Sequence, residues 1–355
     1  MTYIGPVYPI GPMLPDELAT EEHLEELLTR PRAVLQNFIK TLQSPLVILG
    51  AGGKMGPTLA ILARRAAEAA QHPLEIIAVS RFRDESITTK LNRNGIKTLS
   101  CDLLDSVSVQ RLPYAANLIY LVGLKFGTSQ DPSATWAVNT IVPTRIAERY
   151  QGTRMVALST GNVYPLSEVS SGGSSESDPL TPIGEYPNSA VARERIFEFH
   201  SRSHNTPLAL IRLFYAVELR YGVLLDIARK VHDGTPIDLA NGYFNCVWQG
   251  DANEMIIRAL ALAALPATAW NLCWPGAFSV RTVASHLGEL MDCAPNFIGQ
   301  ESPTALLGNA APLCSRLGPP TVGLEQMLGW VASWVKRGGR DLGKPTHFES
   351  RDGRY

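Results

Sequence analysis

The sequence predicts an α/β protein with a doubly wound parallel sheet and a smaller C-terminal lobe, and three observations carry that expectation. From Pro45 onward, short β-rich runs alternate with helical segments, the pattern of repeated βαβ units. The first run, Leu46 to Leu49, feeds straight into a glycine-rich turn that opens an alanine-rich helical stretch. Beyond Leu213 the alternation breaks into mixed elements punctuated by Pro and Gly, as a second lobe would be.

Residues 1–44 read as an N-terminal helical extension. Glu21 to Leu28 is acidic and apolar at helical spacing, Pro31 interrupts, and Val34, Leu35, Phe38, Ile39 and Leu42 resume the period. Residues 45–215 form the sheet domain, with runs at Leu46–Leu49, Thr58–Ala70, Glu75–Val79, Leu118–Val122, Thr140–Tyr150, Arg154–Leu158, Ala190–Ser203 and Leu208–Leu213, and with returns of the chain to the same domain expected near 240–272. Residues 216–335 make up most of the substrate-side lobe, and 336–355 are a polar, Gly-rich tail over the surface. The serine- and glycine-rich stretch Glu168 to Pro182 reads as a polar loop at the rim of a site.

Composition narrows the function. The chain has 355 residues, 45% of them hydrophobic, and a formal net charge of -1, so no basic field invites nucleic acid or an anionic membrane. Met1 to Pro15 lacks the cationic start and apolar stretch of a secretory signal, and Ile256 to Leu265 contains Arg258 and is too short to span a bilayer. A cytoplasmic protein with a small-molecule partner is expected. Five widely spread cysteines, an odd number with no CxxC, argue against a disulfide framework and against zinc. His200 and His204 stand four apart without an evident third ligand, so no metal is expected.

The turn Gly50-Ala51-Gly52-Gly53-Lys54-Met55-Gly56 gives G-x-x-G-x-x-G between a strand and a helix N-terminus. Glycine is needed there because the chain turns tightly, the backbone must approach a pyrophosphate, and the helix must pack close to the sheet. Gly50, Gly53, Lys54, Met55 and Gly56 are therefore assigned to dinucleotide binding on a Rossmann-type sheet. The second strand ends in Ser80-Arg81 without the carboxylate that would meet ribose hydroxyls, which tilts the cofactor toward NADP over NAD.

The glycine spacing and the motifs that follow resemble the extended short-chain dehydrogenase/reductase family, of the NAD-dependent epimerase/dehydratase type. Cys101-Asp102-Leu103-Leu104-Asp105 is similar to its adenine-contacting segment, and Tyr120 to Gly127 with Trp136 to Thr140 is similar to its fourth strand, loop and asparagine-bearing helix. The resemblance implies cofactor contacts at Asp102, Leu103, Val122, Gly123, Asn139, Tyr186 and Phe214. It also implies catalysis by Thr160, in Leu158-Ser159-Thr160-Gly161-Asn162, and by Tyr186. The family's lysine, four residues after the tyrosine, is here Ala190. Without a nearby ammonium, a tyrosine with an ordinary pKa of about 10 is a poor base. Lys125 is the first compensating candidate and Arg193, on the Tyr186 face of its helix, the second.

Tyr215 and Phe244 stand where nucleotide-sugar members carry an Asn and an Arg that clasp a diphosphate. A free sugar or sugar acid is therefore expected, met by Lys125, Asn162, Tyr215 and Trp248, with Arg220 as a carboxylate partner. The expected activity is oxidoreduction or epimerisation. A dinucleotide-binding sensor with reduced catalysis is the alternative, and the resemblance implies a homodimer.

Overall fold

Alternation along the first strand dictates a two-faced layer: Leu46 and Ile48 enter one apolar cluster, Val47 and Leu49 the other. A computed structural model, describing residues 14–125, 127–344 and 346–353, shows this strand at the centre of a seven-stranded sheet. The strands are β1 (Leu46–Leu49), β2 (Ile76–Ser80), β3 (Lys97–Ser100), β4 (Asn117–Tyr120), β5 (Arg154–Thr160), β6 (Leu208–Leu213) and β7 (Thr268–Leu272). Their order is β7-β6-β5-β4-β1-β2-β3 and every pairing is parallel. The strand order reverses between β1 and β4, which opens a crevice at their carboxyl ends.

Helices cover both faces. The extension supplies α1 (Glu21–Leu28) and α2 (Ala33–Ile39), and the sheet domain supplies α3 (Gly56–Ala69), α4 (Glu85–Arg93), α5 (Ser106–Gln110), α6 (Pro132–Arg149) and α7 (Glu185–His204). The lobe carries α8 (Val223–His232), α9 (Gln249–Arg258), α10 (Val280–Met291), α11 (Ala311–Leu317) and α12 (Leu324–Lys336). Residues of α2, α3 and α9 share the Leu46–Ile48 face, while those of α5, α6 and α7 cover the other. The lobe has its own core, where α8, α10 and α12 pack around Trp330.

Local chemistry explains where elements begin. Helix α6 starts well before Thr140 because the Asp131 carboxylate accepts from the Ala134 amide at 2.9 Å and Pro132 sits in the first turn. Strand β3 and helix α4 were not legible as periodic runs; β3 is an edge strand with exposed ends and needs few apolar residues. The extension bridges both cores: Leu24, Leu27 and Leu28 enter the lobe's, Leu35, Ile39 and Leu42 the sheet's.

Two expectations change. The Glu168 to Pro182 stretch is stitched into the lobe rather than free at a rim: Ser167–Glu168 pairs with Thr304–Ala305, and Ser174 bridges Gly308. The tail also packs. Phe348 is buried in the lobe core, and Asp226 Oδ2 accepts from the Thr346 amide at 3.0 Å and its hydroxyl at 2.6 Å.

Candidate active-site crevice

The turn after β1 is held by the neighbouring strand β2. Gly50 adopts φ +83°, and its amide donates to the Val79 carbonyl at 2.8 Å. A Cβ on Gly56 would stand 2.5 Å from the Ala51 carbonyl oxygen, and one on Gly52 would stand 2.7 Å from Ser80 Oγ. These glycines keep the chain low, and α3 begins at Gly56 with no side-chain cap, so its first amides face the crevice. Gly50, Gly53, Lys54, Met55 and Gly56 thus form a cradle that fits a dinucleotide's diphosphate.

Toward the adenosine end, Ser80 closes β2 and Arg81 is exposed beyond it. Asp102 is exposed; its Oδ1 accepts from the Leu104 amide at 3.0 Å, which shapes the turn after β3 and leaves its other oxygen toward solvent. Leu103 is buried in the cluster beneath that turn.

Thr160 ends β5 and caps the short turn Gly161–Val163. Its hydroxyl accepts from the Asn162 amide at 3.2 Å and lies 3.2 Å from Asn162 Oδ1. Tyr186 lies in the first turn of α7, and that helix packs against the Gly161–Val163 turn. Phe214, after β6, lies against Gly161: a Cβ there would come within 2.5 Å of its ring. Lys125 is half-buried on the loop after β4, and loss of water lowers its ammonium to about 8.

Several assignments need correction. Ala190 is buried among Val163, Tyr164 and Phe214, so an apolar contact occupies the lysine position. Arg193 does not serve Tyr186: its Nη1 donates to the Val122 carbonyl at 3.3 Å and to Asn139 Oδ1 at 3.2 Å, hard against Gly123. Asn139 is fully engaged in holding the loop. Its Oδ1 also accepts from the Leu124 amide at 3.1 Å, and its Nδ2 donates to Ser189 Oγ at 2.9 Å, which donates to the Tyr186 carbonyl at 2.8 Å. Asn139 therefore positions the loop after β4 and the Tyr186 turn. Trp248 is buried in the lobe core, tilted against Trp330 at 5.2 Å between ring centroids, because its strand turns it away from the crevice. Phe244 is buried beside Phe278. Tyr215 is half-buried where its short strand pairs with Cys246–Trp248. Arg220 is enclosed by carboxylates: Glu218 at 3.1 Å, Glu21 at 3.0 Å and Glu25 at 3.1 Å. A substrate carboxylate would have to displace them.

Two features went unread in the sequence. Behind Thr160, Glu194 on α7 accepts from Ser159 Oγ at 2.5 Å and from Arg212 on β6 at 2.8 Å. Arg212 also reaches the Tyr164 hydroxyl at 2.5 Å. An arginine inside the apolar run Leu208–Leu213 was the available signal, since a buried guanidinium requires a carboxylate. The other feature is the side chain of Lys54, which crosses to the Ala216 carbonyl at 2.7 Å. Among the described residues no group of His, Cys, Asp and Glu is arranged to hold a metal, and His200 and His204 simply face each other at 3.4 Å.

A family model described as the NAD dependent epimerase/dehydratase family matches residues 46–260. No curated protein sequence matches the chain. Among solved structures, the UDP-Glc/GlcNAc 4-epimerase of Campylobacter jejuni is 18% identical with a TM-score of 0.67, covering 83% of this chain and 100% of its own. UDP-glucose 4-epimerase of Thermus thermophilus in complex with NAD is 19% identical with a TM-score of 0.62, covering 81% of this chain and 97% of its own. UDP-glucuronic acid 4-epimerase of Bacillus cereus in complex with NAD is 15% identical with a TM-score of 0.66, covering 82% of this chain and 96% of its own.

Proposed function

Because this chain belongs to the NAD dependent epimerase/dehydratase family, we propose that it is an NAD(P)-dependent oxidoreductase or epimerase acting on a polyhydroxylated, sugar-like substrate. The observation that carries the reading is the packing of α7, whose first turn bears Tyr186, against the Gly161–Val163 turn that Thr160 caps, at the carboxyl edge of the sheet that also holds the glycine cradle. In this reading Thr160 fixes the reacting oxygen by hydrogen bonding and Tyr186 exchanges its proton. A bound nicotinamide supplies hydride acceptance and return. Lys125, on the loop bordering the crevice, is the cation that compensates for Ala190, since Arg193 is engaged elsewhere.

The substrate is weighed from two sides. Tyr215 and the buried Phe244, at the positions of the diphosphate-clasping Asn and Arg, favour a free sugar or sugar acid. The solved relatives named for UDP-sugars, together with the enclosure of Arg220, weigh toward a nucleotide sugar. Exposed Arg81 and the absence of a carboxylate at the end of β2 support acceptance of NADP, whereas two of the relatives are described with NAD. Exposed Trp136, Ile141 and Phe199 on α6 and α7 support a homodimer through that helix pair, which sedimentation would test. A small-molecule site in a cytoplasmic protein remains the reading; no helix among the described residues is long and apolar enough to cross a membrane.

The experiment is to identify any dinucleotide released on denaturation by mass spectrometry, then titrate the emptied protein with NAD, NADH, NADP and NADPH. Turnover is followed with UDP-glucose, UDP-glucuronate, glucose and glucuronate. Binding of a dinucleotide and turnover lost in Tyr186→Phe with the fold intact support the reading; binding of none of the four sinks it. The sensor alternative is motivated by the apolar packing of Ala190, and it predicts dinucleotide binding with no Tyr186-dependent turnover of any sugar.

A further inference from the structure

Helix α7 emerges from an irregular, proline-bearing stretch, Pro179 to Ile183, and begins after Gly184 without a side-chain cap. Tyr186 lies two residues beyond Gly184, so the groups that hold Ile183 and Gly184 set where its ring stands. The sheet domain supplies part of that hold: Trp136 Nε1 on α6 donates to Glu185 Oε2 at 2.6 Å, and Asn188 Nδ2 donates back to the Gly184 carbonyl at 2.8 Å. The lobe adds another through its tail. Gly353 lies backbone to backbone on the same residues: a Cβ on it would overlap the Ile183 carbonyl oxygen, and a Cβ on Gly184 would overlap the Gly353 carbonyl oxygen. Gly353 takes φ +75° and Gly184 φ +100°, so neither position admits a side chain without displacement.

The tail reaches this contact from anchors in the lobe. Thr346 donates to Asp226 on α8 through both its amide and its hydroxyl, Phe348 is buried in the lobe core, and the Phe348 carbonyl accepts from Asn241 Nδ2. The Arg351 guanidinium then gathers two separate lobe segments. Its Nη1 donates to the Ala240 carbonyl at 3.2 Å and the Thr304 carbonyl at 2.7 Å, and its Nη2 donates to Thr304 Oγ1 at 2.7 Å. A planar guanidinium presents its donors in a fixed fork, so these acceptors fix the direction in which the chain leaves Arg351. We propose that residues 346–353 form a positioning strap, in which Arg351 fixes the tail to the lobe and Gly353 holds the turn bearing Tyr186 in register with the substrate side of the crevice. The inference rests on the proposed function only for the role of Tyr186 in proton exchange. Misplacing a reacting group by about 1 Å costs about a hundredfold in rate, so a hold on backbone two residues away bears directly on turnover.

The test compares the full-length protein with Gly353→Val, Arg351→Gln and a chain ending at Asp352, which keeps Thr346, Phe348 and Arg351 and so loses the contact without losing the anchors. Each carries fluorotyrosine, and Tyr186→Phe assigns the Tyr186 signal. Fluorine NMR should show that signal shifted or broadened in all three variants. The signal of Tyr150, whose hydroxyl bonds the Pro113 carbonyl at the other edge of the sheet, should stay unchanged. Hydrogen exchange of the backbone amides of 184–189 should be about tenfold faster or more, with that of β5 unchanged. Neither readout needs a ligand, so a protein that binds no dinucleotide would sink the proposed function and leave the strap to be decided by these two. With any sugar that turns over, kcat per folded molecule should fall about tenfold or more while KM stays within about twofold. A Tyr186 signal and exchange rates matching the wild type in Gly353→Val and in the shortened chain overturn the proposal. So do equal changes at Tyr150, which would mark a general loosening in place of a local hold. Arg351→Gln, silent where the other two respond, overturns the part given to that residue.

Discussion

Arg212→Met tests whether the polar network behind Thr160 is held by a buried ion pair. Arg212 and Glu194 have side chains 4% and 0% exposed. Glu194 accepts Arg212 Nε at 3.1 and 3.2 Å, Nη2 at 2.8 Å, and Ser159 Oγ at 2.5 Å. Methionine would leave that carboxylate with the Ser159 hydroxyl alone, and would remove the Arg212 bonds to the Tyr164 hydroxyl and the Glu176 carbonyl. Stranding one partner of a buried pair costs about 3–5 kcal/mol. That is a large part of a folding stability of about 5–15 kcal/mol. The double variant Arg212→Met with Glu194→Leu removes both charges and should lose less than Arg212→Met alone. Urea unfolding of the four proteins, with slopes compared, measures the coupling. A single-variant loss under about 1 kcal/mol, or a double-variant loss equal to the sum of the singles, would refute the assignment.

Other variants probe the cradle, the loop and the tail. Gly56→Ala puts a Cβ 2.5 Å from the Ala51 carbonyl oxygen, backbone that cannot swing aside, so NADH fluorescence titration should show at least about a tenfold loss of affinity. Melting should show a stability loss of about 1–3 kcal/mol. Arg193→Met strips the donor from the Val122 carbonyl and from Asn139; a loss of about 1–3 kcal/mol with weakened NADH binding is expected, and unchanged binding would mean the loop is held without it. Asp226 has its pKa raised, chiefly by burial, with Thr346 hydrogen bonds opposing and Glu349 adding to the rise. An acid raised in the folded state favours folding most where it is protonated, and this contribution is lost as pH rises through its folded value. Relative to Asp226→Asn, wild type should therefore gain stability as pH falls toward about 4; a constant difference from pH 7 downward would contradict this.

What was legible depended on distance along the chain. The glycine cradle and the turn bearing Thr160 are each written within a few consecutive residues, and local spacing specifies them. Two of the three carboxylates that enclose Arg220, Glu21 and Glu25, lie in the extension, and no local pattern joins α1 to that loop. Trp248 looked like a pocket aromatic, yet strand alternation sends Val247 to the sheet core and Trp248 to the lobe core. Arg193 was placed on the face of Tyr186 by helical period, but Gly123, lacking a side chain, lets the guanidinium settle against the loop after β4.

The extension is the strongest case for reading the chain as a whole. Leu18, Leu24, Leu27 and Leu28 are buried in the lobe core, and Leu35, Ile39 and Leu42 in that of the sheet. Arg32 reaches Glu254 at 2.7 Å, while Glu21 and Glu25 enclose Arg220. At about 1.5–3 kcal/mol for each fully buried apolar side chain, these seven contribute on the order of 10–20 kcal/mol. Residual burial in the unfolded chain lowers that figure by about 10–40%. The remainder still matches a whole domain's stability of about 5–15 kcal/mol. Removing residues 1–44 would also leave Arg220 with Glu218 alone and strip Arg32 from Glu254. A chain beginning at Pro45 should therefore fail to fold cooperatively, with a broad or absent thermal transition by circular dichroism. A sharp transition within a few degrees of the full-length protein would show that the two cores close without the extension, and that its leucines dock onto a fold already made.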